Sequence, residues 1–308
     1  MKKKISIKAE FANKKNAEIS VEKPFLLKKE MVLINKKNPL ILKKKFQVVK
    51  IESKQKKNNI FNIKSNESKL LEVKNLYKSL GGKPILKNIT LSIEPGKIIG
   101  LLGPNGSGKT TLFNLIIGKI FPDDGEIFFN KNKIHDMPIH IRSREGISLL
   151  EQQKGLFGNM SAEDNLYAIL ELHIKDKQKI YDRINTLLAY FNLGYLKNTK
   201  ANLLSGGEYK KVSILQRICN PNISTLLLDE PCAALDPLSI NSLKDFIIEL
   251  KNIGLSILIT DHNYWAIENI LDKAYIIKDG QILVQGTTQK ISNDKDAIKY
   301  YLGGNFKL

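Results

Sequence analysis

Cysteine, tryptophan and histidine are scarce in this 308-residue chain, at two, one and four residues. Two cysteines, Cys219 and Cys232, are too few for a disulfide framework or a thiolate metal cluster, and they suit a reducing compartment. Also missing is any uninterrupted apolar run of the roughly 18–20 residues that a helix needs to cross a bilayer. The N-terminus reads Met-Lys-Lys-Lys-Ile. No apolar stretch of about 7–15 residues follows it, which excludes a secretory signal. A cytoplasmic protein is the expectation.

Acidic residues run short at one end. Of the net charge of +18, residues 1–68 carry +13, from 19 lysines, no arginine and six acids, leaving +5 for residues 69–308. A basic tail can meet nucleic acid or an anionic membrane surface, or simply stay solvated. Its apolar patches at 24–27, 31–34, 39–42 and 46–49 are broken by lysine runs and hold no period. Residues 1–68 are therefore expected to form a basic, weakly ordered extension that ends in a linker at 54–68.

Folded patterning begins at Leu70. Apolar segments predict strands at 70–76, 85–93, 97–102, 126–129, 133–134, 147–150, 225–229 and 255–260, with a hairpin over 274–284 turning at Asp279-Gly280. Helices are predicted over 109–119, 138–144, 161–172, 180–193, 205–219, 236–251, 264–271 and 297–302. Ser161-Ala-Glu-Asp164 and Ser205-Gly-Gly-Glu208 read as capping boxes. Asp236-Pro237 reads as an N-cap followed by proline at the first helical position. Strands and helices alternating in this way indicate an α/β domain with a largely parallel sheet.

The chemistry starts at Gly103-Pro-Asn-Gly-Ser-Gly-Lys-Thr-Thr111, directly after the apolar run 98–102. Gly103, Gly108, Lys109 and Thr110 stand at the spacing of a phosphate-binding loop. The glycines let consecutive N–H groups curl around phosphate oxygens, and the helix that begins here adds its positive end. Gly103, Pro104, Asn105, Gly106, Ser107, Gly108, Lys109, Thr110 and Thr111 are the candidate nucleotide-binding residues. Lys109 can reach the β- and γ-phosphates and the Thr110 hydroxyl can ligate Mg²⁺. A second element, Thr225-Leu-Leu-Leu-Asp-Glu230, is a buried strand ending in two acids at the sheet edge where ligands bind. Asp229 is the candidate Mg²⁺ ligand and Glu230 the candidate general base.

A third element, Leu204-Ser-Gly-Gly-Glu208, resembles the signature motif of ATP-binding-cassette (ABC) ATPases. Other motifs of that family follow in order. Gln152, after the strand at 147–150, resembles the Q-loop glutamine, Ala234-Leu-Asp236 the D-loop, and His262 the switch histidine. The resemblance covers residues 70–308. It implies a P-loop NTPase cassette with a RecA-like core, an antiparallel β subdomain and a helical signature subdomain at about 153–220. It further implies ATP and Mg²⁺ as cofactors, Glu230, His262 and Gln152 as catalytic residues, and Gln152 beside Thr110 and Asp229 at the metal. Ser205, Gly206 and Gly207, at a helix N-terminus, can meet a γ-phosphate. In the family that helix belongs to the other subunit, so a homodimer or a close heterodimer is implied, the homodimer being the expectation.

The ending Tyr301-Leu-Gly-Gly-Asn-Phe-Lys-Leu308 resembles the ATPase subunits of lipopolysaccharide exporters. That implies two transmembrane permease partners and a peripheral place on the cytoplasmic face of the inner membrane. Phe157 fits either a permease-contacting groove or the core. Leu80 stands where the family carries an adenine-stacking aromatic, with Tyr77 three residues earlier. Glu151 replaces the proline before the Q-loop glutamine, and Gly158 and Asn159 replace basic residues. The extension at 1–68 has no counterpart in the family pattern. The competing readings are a cassette of another transporter, such as the branched-chain amino-acid type, and a soluble ABC protein acting on nucleic acid or ribosomes. The second is disfavoured, because the chain has one cassette and no coiled-coil insertion.

Overall fold

Three five-residue segments, Ile98–Leu102 (β3), Thr225–Asp229 (β7) and Ser256–Thr260 (β8), are buried at every position. Continuous apolar strands of this kind belong in a sheet covered on both faces. In the computed structural model, which describes residues 70–152 and 155–302, they form the centre of a six-stranded sheet. The expectations for residues 1–68 and for the ending at 303–308 lie outside the described residues.

The flanking strands are Ile147–Leu150 (β6), Lys273–Lys278 (β9) and Gln281–Gly286 (β10), in the order β10-β9-β3-β8-β7-β6. The five from β9 to β6 run parallel and β10 returns antiparallel. Alternate residues serve opposite faces. Ile98, Leu102, Leu226, Leu228, Ile257 and Ile259 pack toward helices Ala162–Leu170 (α3), Lys177–Tyr190 (α4), Gly206–Ile218 (α5) and Pro237–Asn252 (α6). Ile99, Leu101, Leu227, Leu258, Tyr275 and Ile277 pack toward Lys109–Ile117 (α1) and a second sheet.

That second sheet is antiparallel, in the order β2-β1-β4-β5, from Leu71–Leu80 (β1), Lys83–Ile93 (β2), Asp124–Phe129 (β4) and Asn132–Lys133 (β5). The parallel sheet expected from the alternating pattern is thus one of two. Ile139–Glu145 (α2) leads into β6, and both predicted capping boxes are formed, at Ser161 before α3 and at Ser205 before α5.

The helix expected over 264–271 stops sooner. Tyr264–Ile267 (α7) is followed by a 3₁₀ turn at Glu268–Ile270, because the chain must straighten to enter β9. Asp272 fixes that entry: its N–H donates to the Ile98 carbonyl and its carboxylate accepts the Ile98 N–H, both at 2.9 Å. Thr288–Ser292 (α8), Lys295–Ala297 (α9) and a π turn at Ile298–Leu302 close the described chain. Among the described residues no helix is long and apolar enough to cross a membrane.

Candidate nucleotide site

Strands β3, β6, β7 and β8 all end at one edge of the six-stranded sheet. There they deliver Gly103, Gln152, Asp229 with Glu230, and Thr260. This is the carboxyl edge, where open α/β sheets bind ligands.

The loop after β3 needs glycine for two distinct reasons. Gly103 lies against β9, where a Cβ would stand 2.1 Å from the Ile277 carbonyl oxygen. Gly108 has a left-handed φ of 107°, and a Cβ there would meet Leu86 at 2.5 Å. The neighbouring hairpin steadies the loop, since the Gly280 N–H donates to the Ser107 carbonyl at 3.2 Å. Lys109 turns its buried ammonium into the loop and donates to the carbonyls of Gly103 at 2.8 Å and Pro104 at 2.9 Å. Burial lowers its pKa, and the charges of Glu230, Asp229 and Asp261 oppose that shift.

Across the edge, Thr110 Oγ1 donates to Asp229 Oδ2 at 3.4 Å and Thr260 Oγ1 to Asp229 Oδ1 at 2.7 Å. Burial raises the Asp229 pKa; the Thr260 hydrogen bond works against it. Glu230 follows in the left-handed region, at φ 46°. A non-glycine residue held there costs backbone energy, and such residues cluster at functional sites. Glu230 Oε2 collects two neighbours: Gln152 Nε2 donates to it at 3.0 Å and His262 Nδ1 lies 3.3 Å away. Behind His262, the buried Asp261 carboxylate accepts the N–H groups of Asn263 at 2.9 Å and Cys232 at 3.4 Å.

Ser205, Gly206 and Gly207 occupy a different neighbourhood. Ser205 Oγ accepts the Glu208 N–H at 3.3 Å, and Glu208 Oε2 accepts the Ser205 N–H at 3.0 Å. The Ser205 N–H and the Ser205 hydroxyl, both donating to the carboxylate, lower the Glu208 pKa. A Cβ on Gly206 would press on Leu235 and one on Gly207 on Ser239, each at 3.1 Å, so the helix start rests closely on the segment after β7. Gly206 and Gly207 carry N–H groups of the first helical turn, which have no partner within the helix.

Tyr77 and Leu80 are both substantially exposed on β1. Glu151, in the proline's place, forms an exposed ion pair with Lys119 beyond the end of α1. Phe157 is 55 % exposed, which removes it from the core. Its loop is nonetheless pinned. The fully buried Asn165 accepts the Phe157 N–H at 2.8 Å and donates to the Ser161 carbonyl at 2.9 Å, while Tyr209 of α5 accepts the Leu156 N–H at 2.9 Å.

The donor set fits the groups that the family implies. Ser107 Oγ is buried and, among the described residues, has no hydrogen-bond partner, as suits an atom placed for a phosphate oxygen. Thr110 and Asp229 offer the hard oxygens that Mg²⁺ takes alongside phosphate and water. Among the described residues no cluster of three or more His, Cys, Asp or Glu forms a self-sufficient metal cage.

A loop built for phosphate, an acidic strand end and a capped helix start define a nucleotide-hydrolysing cassette, and the ABC transporter family model matches residues 86–233. The chain belongs to the ATP-binding subunits of that family and is an ATPase. It is similar to the lipopolysaccharide export system ATP-binding protein LptB of Haemophilus influenzae, 36 % identical over 78 % of this chain and 99 % of the relative. LptB of Escherichia coli K12 is 37 % identical over 77 % and 99 %. Among solved structures, the ADP conformation of MJ1267, an ATP-binding cassette of an ABC transporter, superposes with a TM-score of 0.71 at 26 % identity, over 77 % of this chain and all of that one.

Proposed function

We propose that this chain powers a lipopolysaccharide exporter. It would work as a homodimer beneath two transmembrane permease subunits, peripheral to the cytoplasmic face of the inner membrane. The observation that carries the reading is similarity to LptB along 99 % of that relative's length, so the shared sequence extends well past the cassette motifs.

In the site, Gly103 to Thr111 hold the triphosphate, with Lys109 against the β- and γ-phosphates. Thr110 and Asp229 would hold Mg²⁺ with Gln152 beside them, and the bound ion supplies neutralisation of phosphate charge. Glu230 takes a proton from the attacking water, and His262 and Gln152, both on Glu230 Oε2, orient that carboxylate. Ser205, Gly206 and Gly207 close on the γ-phosphate bound by the partner copy. We take residues 69–308 as the ATPase domain and about 153–220 as its helical subdomain.

Glu230→Gln keeps the shape and removes the base. Hydrolysis is expected to fall by about a hundredfold or more, while ATP affinity stays within about threefold. Steady-state turnover at the wild-type rate in that variant would refute the base assignment.

A further inference from the structure

The sheet register sets Thr260, the last residue of β8, directly beside Asp229, the last residue of β7. Neither the phosphate-loop pattern nor the acidic strand end includes this threonine. It is fully buried, and its hydroxyl both donates and accepts. A hydroxyl has one proton to give and lone pairs to accept with. Here the proton goes to Asp229 Oδ1 at 2.7 Å, and a lone pair receives the Glu230 N–H at 3.2 Å. The same N–H also reaches the Thr260 carbonyl at 3.0 Å.

Two consequences follow from one atom. Tying down Oδ1 leaves Oδ2 as the Asp229 oxygen that faces Thr110, at 3.4 Å. Holding the Glu230 N–H steadies the left-handed backbone turn, at φ 46°, from which the Glu230 side chain departs toward Gln152 and His262. A strained turn persists only where its surroundings over-determine it. The Thr260 hydroxyl and carbonyl, gripping one N–H between them, do that here.

We infer that Thr260 is a positioning residue of the hydrolytic site, aiming the Asp229 carboxylate at the metal and fixing the backbone turn that presents Glu230. The inference rests on the proposed roles of Asp229 and Glu230. Thr260 contacts neither nucleotide nor metal and acts through these two neighbours. Valine in its place matches the shape but deletes both hydrogen bonds and strands Asp229 Oδ1 in the core. Serine keeps the hydroxyl.

The test uses the full chain and Mn²⁺ as the metal probe, read by electron paramagnetic resonance in the presence of ADP. Metal-free binding of a fluorescent ATP analogue is measured in parallel. Thr260→Val should weaken Mn²⁺ binding by roughly ten- to a hundredfold, leave metal-free nucleotide affinity within about threefold, and lower kcat more than it raises KM for ATP. Thr260→Ser should restore the Mn²⁺ affinity to within about threefold of wild type. Thr260→Ala carries the same expectation as valine and serves if the valine variant does not fold. Wild-type Mn²⁺ affinity in the hydroxyl-free variants, or a serine variant as weak as valine, would overturn the inference. Asp229→Asn separates the two levels. If it loses Mn²⁺ while Thr260→Val does not, Thr260 alone is misassigned; if it binds Mn²⁺ like wild type, the metal role of Asp229 falls first.

Discussion

At Asp229 the fold holds a carboxylate where burial favours the neutral form, and its pKa is raised in consequence. The folded state then binds this proton more tightly than the unfolded chain does. Stability contributed by the group is lost as pH rises from the ordinary aspartate value of about 3.9 through the raised one, and the loss is complete above it. Asp229→Asn removes that cost while keeping an oxygen for the Thr260 hydroxyl. In nucleotide-free, metal-free protein the variant should melt above wild type at pH 8, and the difference should shrink toward pH 4. A variant melting at or below wild type at pH 8 would contradict this. The charge that function asks for is held against stability, a common arrangement at active sites. Asp229, Glu230 and Lys109 were legible in the sequence because each sits at a fixed offset in a local pattern. Thr260 was not, since its role comes from the pairing of β7 with β8, and no local motif encodes which strands become neighbours.

Helix α1 illustrates the same division at the scale of an element. Its start was legible, because glycines and Lys109 announce a phosphate loop running into a helix. Its end is held by Arg142 of α2, a fully buried side chain whose burial no local pattern in that short helix announces. Its guanidinium donates to the carbonyls of Leu115 at 2.6 Å and Ile116 at 2.9 Å, and also to Met137 at 2.7 Å and His135 at 2.8 Å. The last carbonyls of a helix have no partner within it, so Arg142 acts as a borrowed cap. Burial lowers its pKa to about 10, which leaves it charged at neutral pH. Gly118 belongs to this arrangement, since a Cβ there would come within 2.8 Å of the Arg142 Nε. Arg142→Leu should cost about 2–3 kcal/mol of stability, measurable by urea unfolding. A loss under about 0.5 kcal/mol, as at an ordinary surface position, would show that the cap is dispensable. The 3₁₀ turns at Gly194–Leu196 and Ala201–Leu203 escaped notice for another reason: three residues are too few to display a period.

Across the whole molecule, the strand order places the phosphate loop, the two acids, Gln152 and His262 on one sheet edge, while the capped start of α5 rests on Leu235 and Ser239. The proposed dimer would set each phosphate loop against the helix start at Ser205 to Gly207 of its partner copy. Phe157 is exposed on a loop pinned by Asn165 and Tyr209 to α3 and α5, which suits the proposed contact with a membrane partner. The cassette was readable from sequence because its motifs are local. The transported molecule was not, because the motifs legible in this chain bind nucleotide, and in the proposed assembly the membrane partners are what meet the cargo. The most direct measurement is therefore capture of the full-length chain from its own detergent-solubilised membranes, followed by identification of the membrane proteins retained. The account predicts the permease pair of a lipopolysaccharide exporter. Recovery with the permeases of an amino-acid importer instead would contradict it.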